Sequence, residues 1–293
     1  MVESSPSISK ASIQLSRETG KPLTMIPRMD YDSQGIITII PSYVDSSISD
    51  DDLCHMENYI HPNTDLIATP RWDGIIRKNN GETLLDDLWS ATKRYLEEVR
   101  RINGKPILGN IPLNRPQKVI DSLLNHYLRE GITSFVFDFE GCQAPTRWPA
   151  LRGVNKILSD AGVMDESILY STNMRRSHDY QIQKPADDFL MFMKGMDVLG
   201  NYHLRGGGGN PHMVKVFDQT SWTYVNQFLA EQKSSDVKRD NILKINHEAD
   251  AVKMLIQETG TAIKLAKPKT GASEYISGLQ QTTLDFKGLS WID

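Results

Sequence analysis

Carboxyl, amide and imidazole side chains recur at the ends of apolar segments of this chain: Asp45, Asp73, Asn110, Asp138 with Glu140, Asn173, His203 and Asp218. A carboxylate can attack an electrophilic carbon or exchange a proton with a leaving group, and an amide or imidazole can hold a polar substrate edge. Taken alone, an aspartate or asparagine reads as a turn former or cap. Recurrence at successive strand ends points instead to a site, because parallel α/β folds assemble their sites from the carboxyl ends of strands.

Other groups could join that face. Trp72, Trp148 and Trp222 lie just beyond segment ends and could stack on a flat ring or roof a core. Arg147, Arg152, Arg175, Arg176, Arg205 and Lys215 would suit a phosphodiester partner. The run Gly206 to Gly209 has neither the lysine of a P-loop nor the spacing of a dinucleotide fingerprint, and reads as a tight or flexible loop. His203 and His212 are nine residues apart with no third ligand nearby, so no metal is expected.

The elements that must position these residues are clearest from Lys105 to Gly141. Pro106 to Ile111 reads as a strand ending in Asn110. Asn114 and Pro116 stand where a cap and first-turn proline belong, and Val119, Ile120, Leu123, Leu124, Tyr127 and Leu128 recur at helical spacing. Glu130-Gly131 closes that helix, and ITSFVFDF is a buried strand. Two buried strands joined by one amphipathic helix make a βαβ crossover and a sheet that is at least partly parallel.

Further strands are expected at Ile36 to Ile40, Asp65 to Thr69, 167–173, 196–204 and Val214 to Phe217. Helices are expected after Ser49, over Leu84 to Ile102, around Trp148 to Ala161, at DFLMFMKGM and at NHEADAVKMLIQETG. Alternating strands and helices make a single-domain (β/α)8 TIM-like barrel over 31–293 the first expectation, with an open doubly wound sheet second. Residues 1–30 read as an N-terminal arm, with SIQLS as an edge strand.

The 293 residues suffice for one such barrel, and 39% of them are hydrophobic. Thirty-three basic against 37 acidic residues leave a net charge of −4, so nucleic acid would have to bind a local basic face. The two cysteines, Cys54 and Cys142, form no ligand cluster or disulfide framework. No apolar run reaches membrane-spanning length and the N-terminus lacks a secretion signal, so a cytoplasmic protein without membrane contact is expected.

In order, these motifs resemble the tRNA-guanine transglycosylase superfamily, divergent from it and lacking its zinc motif. YVDSS at 43–47 is similar to the segment carrying that family's acid/base aspartate. DLIATPRWD at 65–73 resembles the strand ending in its base-recognising aspartate. KPILGNIP at 105–112, a helix, and then ITSFVFDFEG at 132–141 follow the family's pocket-forming order. HLRGGG at 203–208 resembles its histidine–glycine loop, and VFDQTSWTY at 216–224 its nucleophile segment. Ser47 and Ile48 replace the glycines usual after the first aspartate.

The resemblance implies a pentosyltransferase that exchanges a purine or 7-deazapurine base in nucleic acid, tRNA or DNA, through a covalent aspartyl-ribose intermediate. Asp218 would be the nucleophile and Asp45 the general acid/base. Asp73, Asn110, Glu140, Gly141, His203 and Gly206 would shape the base pocket, with Tyr43 or Trp72 stacking on the ring. No cofactor is implied, and a homodimer is compatible with the reading. The alternatives are an unrelated barrel lyase or hydrolase using Asp138 and Glu140, and a non-catalytic nucleic-acid-binding barrel.

Overall fold

The structure, a computed structural model, describes residues 2–23, 36–78, 83–102, 104–175, 183–200, 213–228, 234–259 and 263–275. They divide into two units, Met1–Phe137 and Asp138–Asp293, each mixed α/β with parallel strands.

The strands of the first unit are β1 (Val2–Ser4), β2 (Ser7–Ile8), β3 (Ile37–Ile39), β4 (Ser42–Tyr43), β5 (Leu66–Ala68), β6 (Ile107–Pro112) and β7 (Ser134–Asp138), whose last residue opens the second unit. Within this unit the strands of the main sheet run in the order β1-β3-β5-β6-β7, while β2 and β4 form a separate parallel pair. Registers β1–β3, β3–β5 and β5–β6 are parallel. Leu108–Pro112 and Phe135–Asp138 are buried throughout, which explains why these strands read as continuous apolar runs rather than alternating ones.

Helices α1 (Lys10–Thr19), α2 (Asp50–Ile60), α3 (Asp73–Lys78), α4 (Leu84–Ile102) and α5 (Gln117–Arg129) connect the strands. Ser49 caps α2 by accepting from the Asp52 N–H, with Asp50, Asp51 and Asp52 in the positive first turn. The expected apolar face of α4 is the buried one: Leu84, Leu88, Ala91, Tyr95, Leu96 and Val99. These join Ile39, Tyr43, Leu53, Met56, Ile67 and Trp72 among the core residues. Fully burying each such side chain contributes about 1.5–3 kcal/mol before the entropy cost of ordering it.

At the N-terminus SIQLS is helical, within α1, rather than an edge strand. A reciprocal cap between Ser9 and Ser12 starts that helix, and Gly20, at φ 65, ends it. These local hydrogen bonds, with Ile13 buried, outweigh the strand propensity of the isoleucine.

The second unit contains α6 (Trp148–Asp160), β8 (Leu169–Thr172), β9 (Gln183–Pro185), β10 (Val198–Leu199), β11 (Met213–Asp218), β12 (Thr223–Phe228), α7 (Ser234–Thr259) and α8 (Ile263–Ala266). β8 and β10 are parallel, and the N–H groups of Phe139 and Gly141 donate to the carbonyls of Thr172 and Asn173. The expected strand at Val214 to Phe217 is present but belongs to an antiparallel sheet, β11-β12-β9. DFLMFMKGM forms a 3-10 helix, Phe189–Lys194, not an α-helix. Its end is set by Gly195 at φ 88, and Phe189 packs on Phe217 and Trp222. No helix among the described residues is long and apolar enough to cross a membrane.

Candidate functional site

In the first unit β4 is bridged by Arg71, three residues beyond the end of β5. The Arg71 N–H donates to the Pro41 carbonyl, and the Tyr43 N–H donates to the Arg71 carbonyl, at 2.7 and 2.8 Å. Asp73 begins α3 just beyond. Its carboxylate accepts from the Ser42 hydroxyl at 2.6 Å and from the Arg71 guanidinium at 3.2 Å, with Arg71 only 7% exposed. Gly74 follows because nothing larger fits: a Cβ there would lie 2.1 Å from the carbonyl carbon and oxygen of Asp45. The main chain of Asp45 is thus laid directly against the start of α3, which brings Asp45 and Asp73 to one patch.

Asp45 also accepts from the Lys10 N–H, the first of α1, at 2.7 Å. A carboxylate there complements the positive helix terminus, and Lys10 Nζ reaches the Ser47 hydroxyl at 3.0 Å. Tyr43 and Trp72 are 0% and 3% exposed and meet edge to face at 5.9 Å. The Tyr43 hydroxyl donates to the Ser47 carbonyl, and Trp72 Nε1 donates to Thr92. Both rings are spent on the core, and neither presents an open face for a base.

Asn110 lies in β6, 5% exposed. Its N–H donates to the Thr69 hydroxyl at 2.8 Å, its carbonyl accepts from the Tyr127 hydroxyl at 3.3 Å, and Thr69 and Tyr127 are 2.7 Å apart. Burial pushes the Tyr127 hydroxyl up to about 12, so it stays a donor at ordinary pH. The side-chain Nδ2 of Asn110 is buried without a hydrogen-bond partner among the described residues. Such a donor costs about 1–3 kcal/mol unless something accepts from it.

In the second unit Asp138, 1% exposed, accepts on Oδ1 from the Glu140 N–H at 2.8 Å and from Asn173 Nδ2 at 3.0 Å. Glu140 and Asn173 adopt left-handed backbone, φ 49 and 55, and Gly141 follows at φ 80. Two non-glycine residues held so, each at a cost of about 1 kcal/mol or more, mark a segment shaped by something other than local preference. Arg147 donates to Cys142 Sγ at 3.1 Å on the same loop.

Asp218 ends β11 in the turn to β12. Its two oxygens accept from the Thr220 N–H at 2.9 Å and from the Ser221 hydroxyl at 2.6 Å. The Ser221 hydrogen bond, then that of Thr220 and the charge of Lys269, hold its carboxyl below the ordinary 3.8 against the opposing effect of partial burial. An ionised carboxylate offers about four acceptor positions, so each oxygen keeps a lone pair for attack. Trp222, at φ 54, is 0% exposed and donates to Glu248 at 2.8 Å.

Asp45, Asp73 and Asn110 therefore lie in the first unit, and Glu140, Gly141 and Asp218 in the second. His203 and Gly206 lie outside the described residues. Sequence reasoning missed Arg71, Thr69 and Tyr127 as the supports of Asp73 and Asn110. Arg71 stood in plain view within PRWD, while the Tyr127 contact had no local signal. Among the described residues no group of three His, Cys, Asp or Glu side chains is placed to hold a metal ion. No family model matches the chain, and comparison with curated proteins gives no match.

Proposed function

We propose that the protein is a base-exchanging glycosyltransferase of the tRNA-guanine transglycosylase type, on a closed (β/α)8-like barrel, acting on a purine or 7-deazapurine nucleotide in tRNA or DNA. The observation that carries this reading is Asp218: a partly exposed carboxylate kept ionised by Ser221 and Thr220 with lone pairs to spare. The patch that brings Asp45, two residues past β4, beside Asp73 at the start of α3 supports it.

In this mechanism Asp218 attacks C1′ of the ribose, a C–O ester bond forms, and the C1′–N bond to the base breaks. The leaving base takes its proton from Asp45. The incoming base returns a proton to Asp45 as its ring nitrogen attacks C1′ and releases the carboxylate of Asp218. Asp73, oriented by Arg71 and Ser42, accepts from the donor edge of the purine. The buried Asn110 Nδ2 is a donor suited to a carbonyl of the base.

A second reading has its own observation: Asp138, buried between the strained Glu140 and Asn173, would serve a lyase or hydrolase. One assay separates the two. Labelled guanine is offered with tRNA and with duplex and single-stranded DNA, using wild type, Asp218→Asn and Asp138→Asn. The proposal expects label to enter one polymer and incorporation to vanish with Asp218→Asn, whose amide still accepts from the Thr220 N–H. Incorporation that survives in Asp218→Asn, or none into any polymer, overturns it.

A further inference from the structure

The turn that carries Asp218 is held from outside at successive carbonyls. Lys269 Nζ donates to the Gln219 carbonyl at 2.6 Å, the Gly271 N–H to that of Ser221 at 2.8 Å, and the Ala186 N–H to that of Trp222 at 2.9 Å. Lys269 and Gly271 belong to one short stretch that follows α8, and Lys269 stands 50 positions from the Gln219 it grips.

That stretch is itself fixed. The Lys269 N–H donates to the Ala266 carbonyl at 2.9 Å and the Ala272 N–H to the Lys269 carbonyl at 3.0 Å, and both alanines are fully buried. At 271 the approach demands glycine: a Cβ would lie 2.2 Å from the Trp222 carbonyl oxygen and 2.9 Å from that of Ser221. The stretch therefore presses on the turn main chain to main chain.

The lysine is also held in place. Its side chain is 16% exposed, with Nζ 3.6 Å from Glu248 Oε2 and 5.2 Å from the centre of the Trp222 ring. The same Glu248 oxygen accepts from Trp222 Nε1. Trp222 sits in left-handed backbone, and its N–H donates to the Asp218 carbonyl at 2.8 Å. Such a conformation persists only where the surroundings over-determine it, and here Lys269, Glu248 and Gly271 do so.

We propose that Lys269 is a positioning residue for base exchange: with Gly271 it straps the turn from Asp218 to Trp222, so that the carboxylate of Asp218 meets C1′ already oriented. Its place in the reaction rests on the base-exchange reading, whereas the strap is a property of the turn. Orientation is needed twice, when Asp218 attacks and when the incoming base displaces it. Loosening the turn therefore slows both steps alike and leaves KM for guanine unchanged.

Lys269→Met tests this in the full chain, because it keeps an unbranched apolar stem against Trp222 and removes the donor and the charge. Guanine exchange, hydrogen exchange at the Thr220 and Trp222 N–H groups, and titration of the Asp218 carboxyl by carbon-13 NMR are read together. The variant should lose at least about tenfold in kcat at constant KM, release both N–H groups faster, and titrate Asp218 higher because a nearby positive charge is gone. Lys269→Arg, which retains charge and donors, should restore all three. Gly271→Ala should loosen the same N–H groups with Lys269 intact, and far-UV circular dichroism checks that each variant is folded. Unchanged hydrogen exchange in Lys269→Met overturns the strap whatever the activity. A loosened turn with wild-type kcat, or Lys269→Arg no better than Lys269→Met, overturns the positioning role. A wild type that incorporates no guanine overturns the base-exchange reading, and with it the place of Lys269 in the reaction.

Discussion

Replacing Glu57 by glutamine should stabilise the protein at pH 8 far more than at pH 5. Glu57 lies on α2, 0% exposed, among core residues that include Leu53, Met56, Ile60 and Tyr95. Neither of its carboxyl oxygens has an aligned hydrogen bond. The Tyr95 hydroxyl and the charge of Lys105 favour ionisation, but Lys105 directs its ammonium to the carbonyls of His61 and Thr64 at 2.5 and 2.7 Å. Burial prevails and pushes the carboxyl from 4.5 up to about 7. The folded acid thus holds its proton more tightly than the unfolded one. Wild-type stability is therefore fullest below 4.5 and falls as pH rises toward 7.

At about 1.4 kcal/mol per pKa unit, that rise costs roughly 3 kcal/mol by pH 8 and under about 1 kcal/mol at pH 5. Glutamine keeps the shape without the charge, and any cost of burying its amide is the same at both pH values. Urea unfolding of wild type and variant at the two pH values should show the variant gaining about 2.5 kcal/mol on going from pH 5 to pH 8. An offset that is equal at the two pH values would refute the reasoning that Glu57 is buried as a neutral acid.

Gly74→Ala puts a methyl group 2.1 Å from the Asp45 carbonyl, where only main chain could yield. It should cost about 1–3 kcal/mol, read as a lower thermal midpoint. Asp45→Asn removes the charge at the start of α1 and should cost only about 0.3–1 kcal/mol in a urea melt. The same variant should lose base exchange altogether, a gap that a merely structural Asp45 would not produce. Asp218, held below 3.8 by Ser221, stays ionised through the neutral and mildly acidic range, so base exchange should show no acid limb from this group above that value. Ser221→Ala removes the largest cause and should move that limb upward in a pH–rate profile.

Elements with a complete local signature were legible in the sequence. Ser49 with three acids behind it started α2, and the 3.6-residue period of α4 matched its buried face. The run from Lys105 to Gly141 contained both strands and the helix of β6-α5-β7. What escaped depends on contacts distant in sequence. Nothing near Tyr43 or Trp72 announces that the two rings pack on each other 29 positions apart, so both read as open stacking faces. The antiparallel partner of β11 was hidden because Asp218 reads equally as a catalytic group and as the acceptor that closes a turn on Thr220 and Ser221. Asp138 and Asp218 do close β7 and β11 and Asn173 follows β8, whereas Asn110 lies inside β6 and Asp73 opens α3, because an aspartate serves a helix start as readily as a strand end.

The central claim, a covalent bond from Asp218 to a ribose, is tested most directly by trapping it. Protein incubated with the polymer into which guanine exchanges is denatured, digested with nuclease and protease, and its peptides are weighed. The account predicts the mass of a base-free sugar phosphate on the peptide containing Asp218, absent from Asp218→Asn. An adduct on the peptide containing Asp138 and Glu140, or exchange without any adduct, would contradict it.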